Sequence, residues 1–215
     1  MPKDILTSIH GREVGLDSDR NLVVGGKQIT NISAEVGAKN GSTVVETTVI
    51  DNGIFRKVKL TCTATPITMT DESGVVLWGG TKVFDFPAGL LSFMGASLIG
   101  SVAWTTGNVT ALYEGDVGLG TTIATNDATL ATTEQNLLET TATAAATAKV
   151  GPINAASAPA LYTESANSII DGRTTAADMY LNLLVDENAA NDDDIALFTG
   201  TIEFIYAIIG SVDPA

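Results

Sequence analysis

The feature that most constrains this chain is a succession of short, strand-like segments separated by turn residues. Residues 42–50 ("STVVETTVI") are rich in β-branched side chains, and residues 51–53 ("DNG") contain the Asn-Gly pair typical of a β-hairpin. Residues 178–185 ("DMYLNLLV") and 194–210 ("DIALFTGTIEFIYAIIG") have the clearest strand character. Because long amphipathic helices do not alternate with these strands, the pattern predicts an all-β antiparallel sandwich or barrel and disfavours a parallel α/β fold.

The N-terminal segment is set apart from the rest by mixed charge, weak periodicity and several glycines. We interpret residues 1–26 as an extended N-terminal arm or irregular entry segment. Strand signals begin at Lys27, so we interpret residues 27–215 as a single β-sandwich domain. A chain of 215 residues is long enough to bury a sizeable core in one such domain.

Residues 54–69 ("IFRKVKLTCTATPITM") alternate in the manner of a strand, but neither face is cleanly apolar. Pro66 suits an edge strand or a bulge, so we expect this strand at the edge of a sheet. Cys62, the only cysteine, is predicted to be a small core residue, and no intrachain disulfide can form.

Two other segments leave the strand assignment open. Residues 126–149 are the weakest for strands, and a short helix around 132–139, capped by Thr132 or Thr133, is one interpretation beside strand or loop. Residues 86–104 carry no charge and are long enough to span a bilayer, but Pro87 and several glycines interrupt them. We expect a buried hairpin or short strands there rather than a membrane helix.

The charge is strongly acidic, at −14 with a pI near 4.2. This composition argues against a nucleic-acid partner and against an anionic membrane surface, since both require Lys and Arg. Residues 1–60 hold 8 basic and 7 acidic residues, whereas residues 61–215 hold 3 basic and 18 acidic ones. A near-neutral head on an acidic body suits a protein that presents one end to a partner. The N-terminus lacks the apolar segment of a signal peptide, so we expect synthesis in a reducing cytoplasm.

Catalytic motifs are weak throughout. Nucleophilic catalysis would have to use His10, the only histidine, and its place in the arm makes exclusion of water difficult. A glycosidase would need a carboxylate pair with exposed aromatic side chains, whereas Trp78 and Trp104 lie in strand patterns typical of a core. Residues 115–122 ("GDVGLGTT") lack the order of a phosphate-binding loop. We therefore predict no catalytic residue, no cofactor and no enzymatic activity.

The acidic loop between the last two predicted strands raises the question of a metal. Its oxygen-bearing residues suit Ca²⁺, and a candidate set would be Asp186, Asn188, Asp192 and Asp194. The EF-hand pattern fails, however, because Asn191 stands where glycine is needed and no helices flank the loop. The favoured interpretation is a solvated hairpin tip without metal, with Ca²⁺ as the alternative.

Three segments together resemble known virion proteins. Residues 6–24 ("LTSIHGREVGLDSDRNLVV") resemble the N-terminal segment of some tailed-bacteriophage virion proteins. Residues 107–125 ("GNVTALYEGDVGLGTTIAT") and 180–210 ("YLNLLVDENAANDDDIALFTGTIEFIYAIIG") are similar to head decoration, or cement, proteins of the jelly-roll type.

The resemblance implies a jelly-roll-like antiparallel β-sandwich, a homotrimer, on the outer surface of the bacteriophage capsid. Its partner would be the major capsid protein, and its role would be to stabilise contacts between capsid subunits without any enzymatic activity. We expect the arm to make the partner contact, with His10, Arg12 and Arg20 as the candidate partner-binding residues.

Two rival functions remain at this point. One is a carbohydrate-binding β-sandwich of a phage tail or receptor-binding module, which exposed Trp78 and Trp104 in a groove would favour. The other is a tail or connector component, which would assemble as a ring rather than as a compact trimer.

Overall fold

A computed structural model describes the backbone of residues 4–9, 12–16, 22–24, 27–28, 44–50, 55–71, 76–105, 115–125, 129–143, 150–156, 169–186 and 193–210. The side chains are described for residues 55–71, 76–105, 115–125, 129–139, 169–185 and 193–210. The chain divides into two compact units, Met1–Gly37 and Ala38–Ala215.

The N-terminal unit contains a small antiparallel sheet in the order β1-β2-β3-β4. Its strands are β1 (Asp4–Ile9), β2 (Arg12–Leu16), β3 (Leu22–Val24) and β4 (Lys27–Gln28). The sequence led us to expect an extended or irregular arm over residues 1–26. The described segments of this range are extended, but they are paired strand to strand, and the unit continues to Gly37.

The larger unit is built of ten strands in its described part and a single turn of 3-10 helix. They are β5 (Val44–Ile50), β6 (Phe55–Asp71), β7 (Val76–Asp85), β8 (Gly89–Trp104), β9 (Gly115–Gly120), the 3-10 helix (Thr132–Glu134), β10 (Leu138–Thr143), β11 (Val150–Ala156), β12 (Ile169–Gly172), β13 (Asp178–Asp186) and β14 (Asp194–Gly210). All of the described pairings are antiparallel.

The strand pairing is nested. The long strand β6 pairs with the last strand β14, β7 pairs with β13, β8 pairs with both β11 and β12, and β9 pairs with β10. Pairing of early strands with late strands in this nested order arises when one long antiparallel ribbon is wound into two sheets, which is the two-Greek-key topology of a jelly roll. The predicted jelly-roll-like, all-β fold is therefore confirmed.

We name the two halves of the wound ribbon the front sheet and the back sheet. The front sheet has the order β6-β14-β8-β11, with β5 beside β6 and β12 beside β8, and the back sheet has the order β7-β13-β9-β10. They join where β6 and β7 pair over Met69–Asp71 and 77–79. Beyond this junction β7 separates from β6, and the two sheets face each other.

Aromatic side chains fill the space between the sheets. Phe84 of β7 meets Phe204 of β14 with ring centroids 5.0 Å apart, although these strands are not hydrogen-bonded to each other. Phe86 packs edge-on against Tyr206 at 5.6 Å and against Phe93 at 6.2 Å. All five rings are buried, so this cluster is the centre of the sandwich core.

The strand β6 differs from its expected position at a sheet edge, whereas the other feature that Pro66 suits, a bulge, is present as a register shift between Cys62 and Thr65. It is paired on both sides, by β5 over Val44–Ile50 and by β14 along most of its length. Pro66 lies between the ends of β5 and β7, where no described strand covers that side of β6, so its missing N–H breaks no described ladder on that side. The hairpin predicted at residues 51–53 is confirmed by the register that places Ile50 opposite Phe55, and Cys62 is a core residue as predicted.

The uncharged stretch 86–104 forms β8 rather than a helix. Its side chains alternate between the core, as for Leu91 and Leu98, and the outer face, as for Ile99. Within the described ranges, no helix is long and apolar enough to cross a membrane.

The described parts of the loop over residues 121–137, which are residues 121–125 and 129–137, cover the outer face of the back sheet. The fully buried Asn182 of β13 ties it down: Asn182 Oδ1 accepts from Ala124 N at 2.9 Å, and Nδ2 donates to Thr122 O at 2.9 Å and to Glu134 O at 2.7 Å. A small second core of Val76, Ala124, Leu130 and Leu184 lies beneath the loop, and Trp78 packs against it.

The buried carboxylate of Glu134 closes the same loop on itself. Its Oε1 accepts from both N and Oγ1 of Thr125 at 2.7 Å, and its Oε2 accepts from Ala131 N at 2.7 Å. The loop can lie this close to β9 because Gly120 has no Cβ. A Cβ at this position would collide with the backbone of Glu134. The short helix that the sequence suggested over 132–139 is present only as a 3-10 turn at Thr132–Glu134. Its last residues belong instead to β10, which begins at Leu138.

Replacing Phe204 by Ala should lower the free energy of unfolding by about 3–5 kcal/mol, because it leaves a cavity among four other buried rings. Urea unfolding followed by far-UV circular dichroism measures this loss. Ile205→Ala is the matched control, since Ile205 is the next residue and lies on the outer face; its effect should stay within about 1 kcal/mol. Equal losses in the two variants would contradict the assignment of Phe204 to the core centre.

Replacing Asn182 by Ala should cost about 2–5 kcal/mol, because it leaves one buried N–H and two carbonyl groups without their partner. The amide of Ala124 should also lose hydrogen-exchange protection. The control is Asn136→Ala, which removes bonds to Thr121 at a half-buried position where water can replace them. Unchanged protection of Ala124 in the Asn182 variant would show that this side chain does not hold the loop.

Candidate functional site

The acidic segment before β14 is the strongest candidate site from the sequence, and its described carboxylates accept hydrogen bonds from the protein. Asp193 Oδ1 accepts from Asp71 N at 2.8 Å, just beyond Met69, the last residue that β6 pairs with β14 at this end. Asp194 is 4% exposed, and its Oδ1 accepts from Thr105 Oγ1 at 3.3 Å and from Ile195 N at 2.6 Å. These contacts connect the start of β14 to the ends of β6 and β8.

The calcium set can be compared with this geometry at one position. Asp186 is the last residue of β13, and Asn188 and Asp192 lie outside the described residues. Asp194 is the one member with a described side chain, and it lies in the protein rather than at a solvated tip. Within the described part of the chain, no group of three or more His, Cys, Asp or Glu could hold a metal ion. The calcium alternative stays a prediction.

The three candidate partner-binding residues belong to the N-terminal unit. Arg12 begins β2, and its backbone pairs with that of Ile9 in β1. His10 and Arg20 lie outside the described residues. Of the three residues, the structure therefore places Arg12 alone, on a short paired strand.

The two tryptophans on which the carbohydrate-binding alternative depends do not form an exposed stacking surface. Trp104 is 6% exposed and belongs to the main core. Trp78 is half-buried and packs against the small core beneath the 121–137 loop. Both aromatic rings are therefore used in packing, as the strand patterns predicted.

A cluster of ionisable side chains that sequence reasoning missed lies on the back sheet. Lys82 Nζ is 2.7 Å from Asp85 Oδ1 and 3.5 Å from Asp178 Oδ1, and Tyr180 OH donates to Asp178 Oδ2 at 3.2 Å. Asp85 and Asp178 are directly opposite each other at the end of the β7–β13 ladder. We call these four residues the corner cluster.

A β-bulge in β7 assembles the corner cluster. Residues three apart in a regular strand point to opposite faces, so Lys82 and Asp85 would not meet. The register shifts here, because Met179 pairs with Phe84 while Tyr180 pairs with Lys82. Val83 and Phe84 are both fully buried, which returns Asp85 to the outer face beside Lys82. No residue type in this stretch announces a bulge, so the sequence carried no signal for the cluster.

The electrostatics of the corner cluster follow from crowding two carboxyl groups around one ammonium. Burial raises the pKa of Asp178, and its hydrogen bond with Asp85 raises it further, against the opposing charge of Lys82. The hydrogen bond to Asp85 raises the pKa of Lys82. Burial, followed by the charge of Asp178, raises the pKa of Tyr180. The arrangement can bind and release a proton, but it lies on a partly exposed strand surface.

Removing the side chain of Asp193 should fray the end of the β6–β14 ladder. We expect Asp193→Ala to cost about 0.5–1.5 kcal/mol in urea unfolding, since Asp71 N loses its acceptor. Asp193→Asn keeps an oxygen acceptor and should retain most of the stability and the protection of the Asp71 amide. If the Asn variant were as unstable as the Ala variant, the charge of Asp193 and not its hydrogen bond would be the stabilising factor.

Comparisons with protein-family models, curated proteins and solved structures found no match to this chain.

Proposed function

We propose that this chain is a non-enzymatic virion structural protein, a decoration or cement protein that binds the outer surface of a bacteriophage capsid. It would stabilise contacts between subunits of the major capsid protein. The observation that carries the proposal is the nested strand pairing of the larger unit, because the resemblance of residues 107–125 and 180–210 to cement proteins implies a jelly roll.

The charge distribution supports a surface position on a particle. Residues 61–215, which include most of the jelly roll, hold 18 acidic residues against 3 basic ones. An acidic outer surface keeps crowded copies soluble and discourages contacts between particles. The near-neutral residues 1–60 are the part that can approach another protein without strong repulsion.

The N-terminal unit is the proposed contact with the capsid or with an adjacent protomer. It is compact by itself, and its short strands β1 to β4 form a sheet without strands of the jelly roll. A unit of this size is usually too small to be stable by itself, so added contacts with a partner would stabilise it. His10, Arg12 and Arg20 are the proposed partner-binding residues, and the proposed assembly is a homotrimer.

The absence of enzymatic activity is part of the proposal. The ionisable groups of the corner cluster are about one-third exposed, and Lys82 lies next to both carboxyl groups. Partly exposed clusters of charged side chains on strands are commonly structural ion-pair networks and not catalytic sites. With Trp78 and Trp104 used in packing, no described aromatic surface favours the carbohydrate-binding rival.

A binding experiment with capsids tests the proposal. The probe is a head assembled from the major capsid protein encoded nearest to this gene, and the readout is co-sedimentation. The full chain should bind, and the double variant Arg12→Glu/Arg20→Glu should lose most of the binding, because two contacts would become repulsive. Arg173→Glu is the control for charge, since Arg173 lies in the jelly roll paired with Asp171.

Deletion of residues 1–37 sharpens the same experiment, because it removes the N-terminal unit as a whole. The remaining chain should keep its β circular-dichroism spectrum and lose head binding. Undiminished binding after deletion would contradict the role of this unit, and failure of the full chain to bind heads would contradict the decoration function. Light scattering separates a compact trimer from the ring expected of a tail component.

A further inference from the structure

The corner cluster lies where β7 ends and β13 begins. Asp178 is the first residue of β13, and Asp85 is the last residue of β7. Directly beyond them, Phe86 N donates to Ala177 O at 2.9 Å, and the Phe86 ring enters the aromatic core. The two carboxyl groups therefore face each other where β7 turns toward β8 and where the chain enters β13.

Like charges directly opposite each other on neighbouring strands destabilise a sheet. Lys82 compensates for one of the two negative charges, and its distances of 2.7 Å to Asp85 and 3.5 Å to Asp178 show that it is closer to Asp85. The negative charge of Asp178 is therefore compensated less well by Lys82 than the charge of Asp85 is. Two carboxyl groups with one cation can remove the remaining repulsion by binding one proton between them.

We propose that Asp85 and Asp178 form a proton-binding site that strengthens the β7–β13 corner when the solution becomes mildly acidic. The proton comes from the solvent and forms an O–H bond on the Asp178 carboxyl group, which then donates a hydrogen bond to the Asp85 carboxylate. Lys82 retains its ion pair with Asp85. The inference concerns the stability of the fold and is independent of the proposed capsid function.

The titratable groups that face Asp178 are Lys82 and Asp85 from β7 and Tyr180 from β13. The neighbouring strand β9 presents Gly120 opposite Tyr180 and adds no charge there. Tyr180 stays protonated throughout the acidic range, because its pKa is raised above 10.0. Lys82 stays charged there as well, since its pKa is raised above 10.5. The Asp178 carboxyl group is therefore the proton-binding group of the proposal.

The direction of the effect follows from the raised pKa of Asp178, which burial and then the bond to Asp85 produce. Between the ordinary value of 3.8 and this raised value, the folded protein binds more protons at Asp178 than the unfolded chain does. The contribution to stability thus increases as the pH falls through the raised pKa and is complete below 3.8. It is lost again as the pH rises.

The test compares the melting temperature of the wild type with that of Asp178→Asn across the acidic range. The amide of the variant can donate to Asp85 as the protonated acid does, at every pH. Near neutral pH the variant should therefore melt higher by about 1–4 °C, and the difference should disappear as the wild type binds its proton. In the full chain, the Asp178 carboxyl resonance should titrate above 3.8 by NMR.

Three further variants separate this site from other carboxyl groups. Asp85→Asn should move the Asp178 titration downward, and Lys82→Met should move it upward, because the partner and the opposing cation are removed in turn. Asp171→Asn is the control: the side chain of Arg173 lowers the pKa of Asp171 to about 2, so this variant should leave the Asp178 titration unchanged.

The proposal is overturned if Asp178 titrates at or below 3.8 in the wild type, or if Asp85→Asn leaves its titration unchanged. It is also overturned if Asp178→Asn lowers the melting temperature by the same amount at every pH, which would mean that the ion pair with Lys82 outweighs the repulsion from Asp85.

Discussion

The hydrogen-bond ladders on both sides of β14 are the interaction on which this jelly roll depends. The strand spans Asp194–Gly210 and pairs with β6 on one side and β8 on the other along most of its length. Its inner face contributes Phe198, Phe204 and Tyr206 to the core. Because β14 is central in the front sheet and pairs with strands much earlier in the sequence, the sandwich cannot close until β14 is in place. The fold is therefore rich in non-local contacts, which predicts slow folding.

The back sheet is stabilised differently, through buried polar groups. Its outer face is covered by the 121–137 loop, and Asn182 and Glu134 supply hydrogen-bond partners for loop backbone that would otherwise be buried without any. A polar network of this kind specifies one loop position because any displacement leaves several groups unsatisfied. The two sheets thus present chemically different outer surfaces. The front sheet exposes strand side chains such as Ile99, whereas the back sheet carries a loop that Asn182 holds by hydrogen bonds.

Much of the fold could be predicted from local patterns, and the failures have a common cause. The C-terminal strands, the hairpin before β6 and the core role of Cys62 followed from alternation and turn residues. The edge position expected for β6 was wrong, because polar residues on its outer face resemble an edge strand whether or not neighbours pair with it. The corner cluster escaped prediction because it depends on a bulge and on cross-strand register, neither of which leaves a mark in the residue types.

The acidic loop that first suggested a metal site shows where sequence and structure divide. The sequence by itself determined that two strands flank this loop and that the chain is an acidic, all-β protein, since alternation and charge are local properties. Only the tertiary structure decided that Asp193 and Asp194 bond to the ends of β6 and β8, that Asn182 clamps a distant loop, and that Asp85 faces Asp178. Those contacts join residues far apart in the chain, and their geometry exists only once the ribbon is wound.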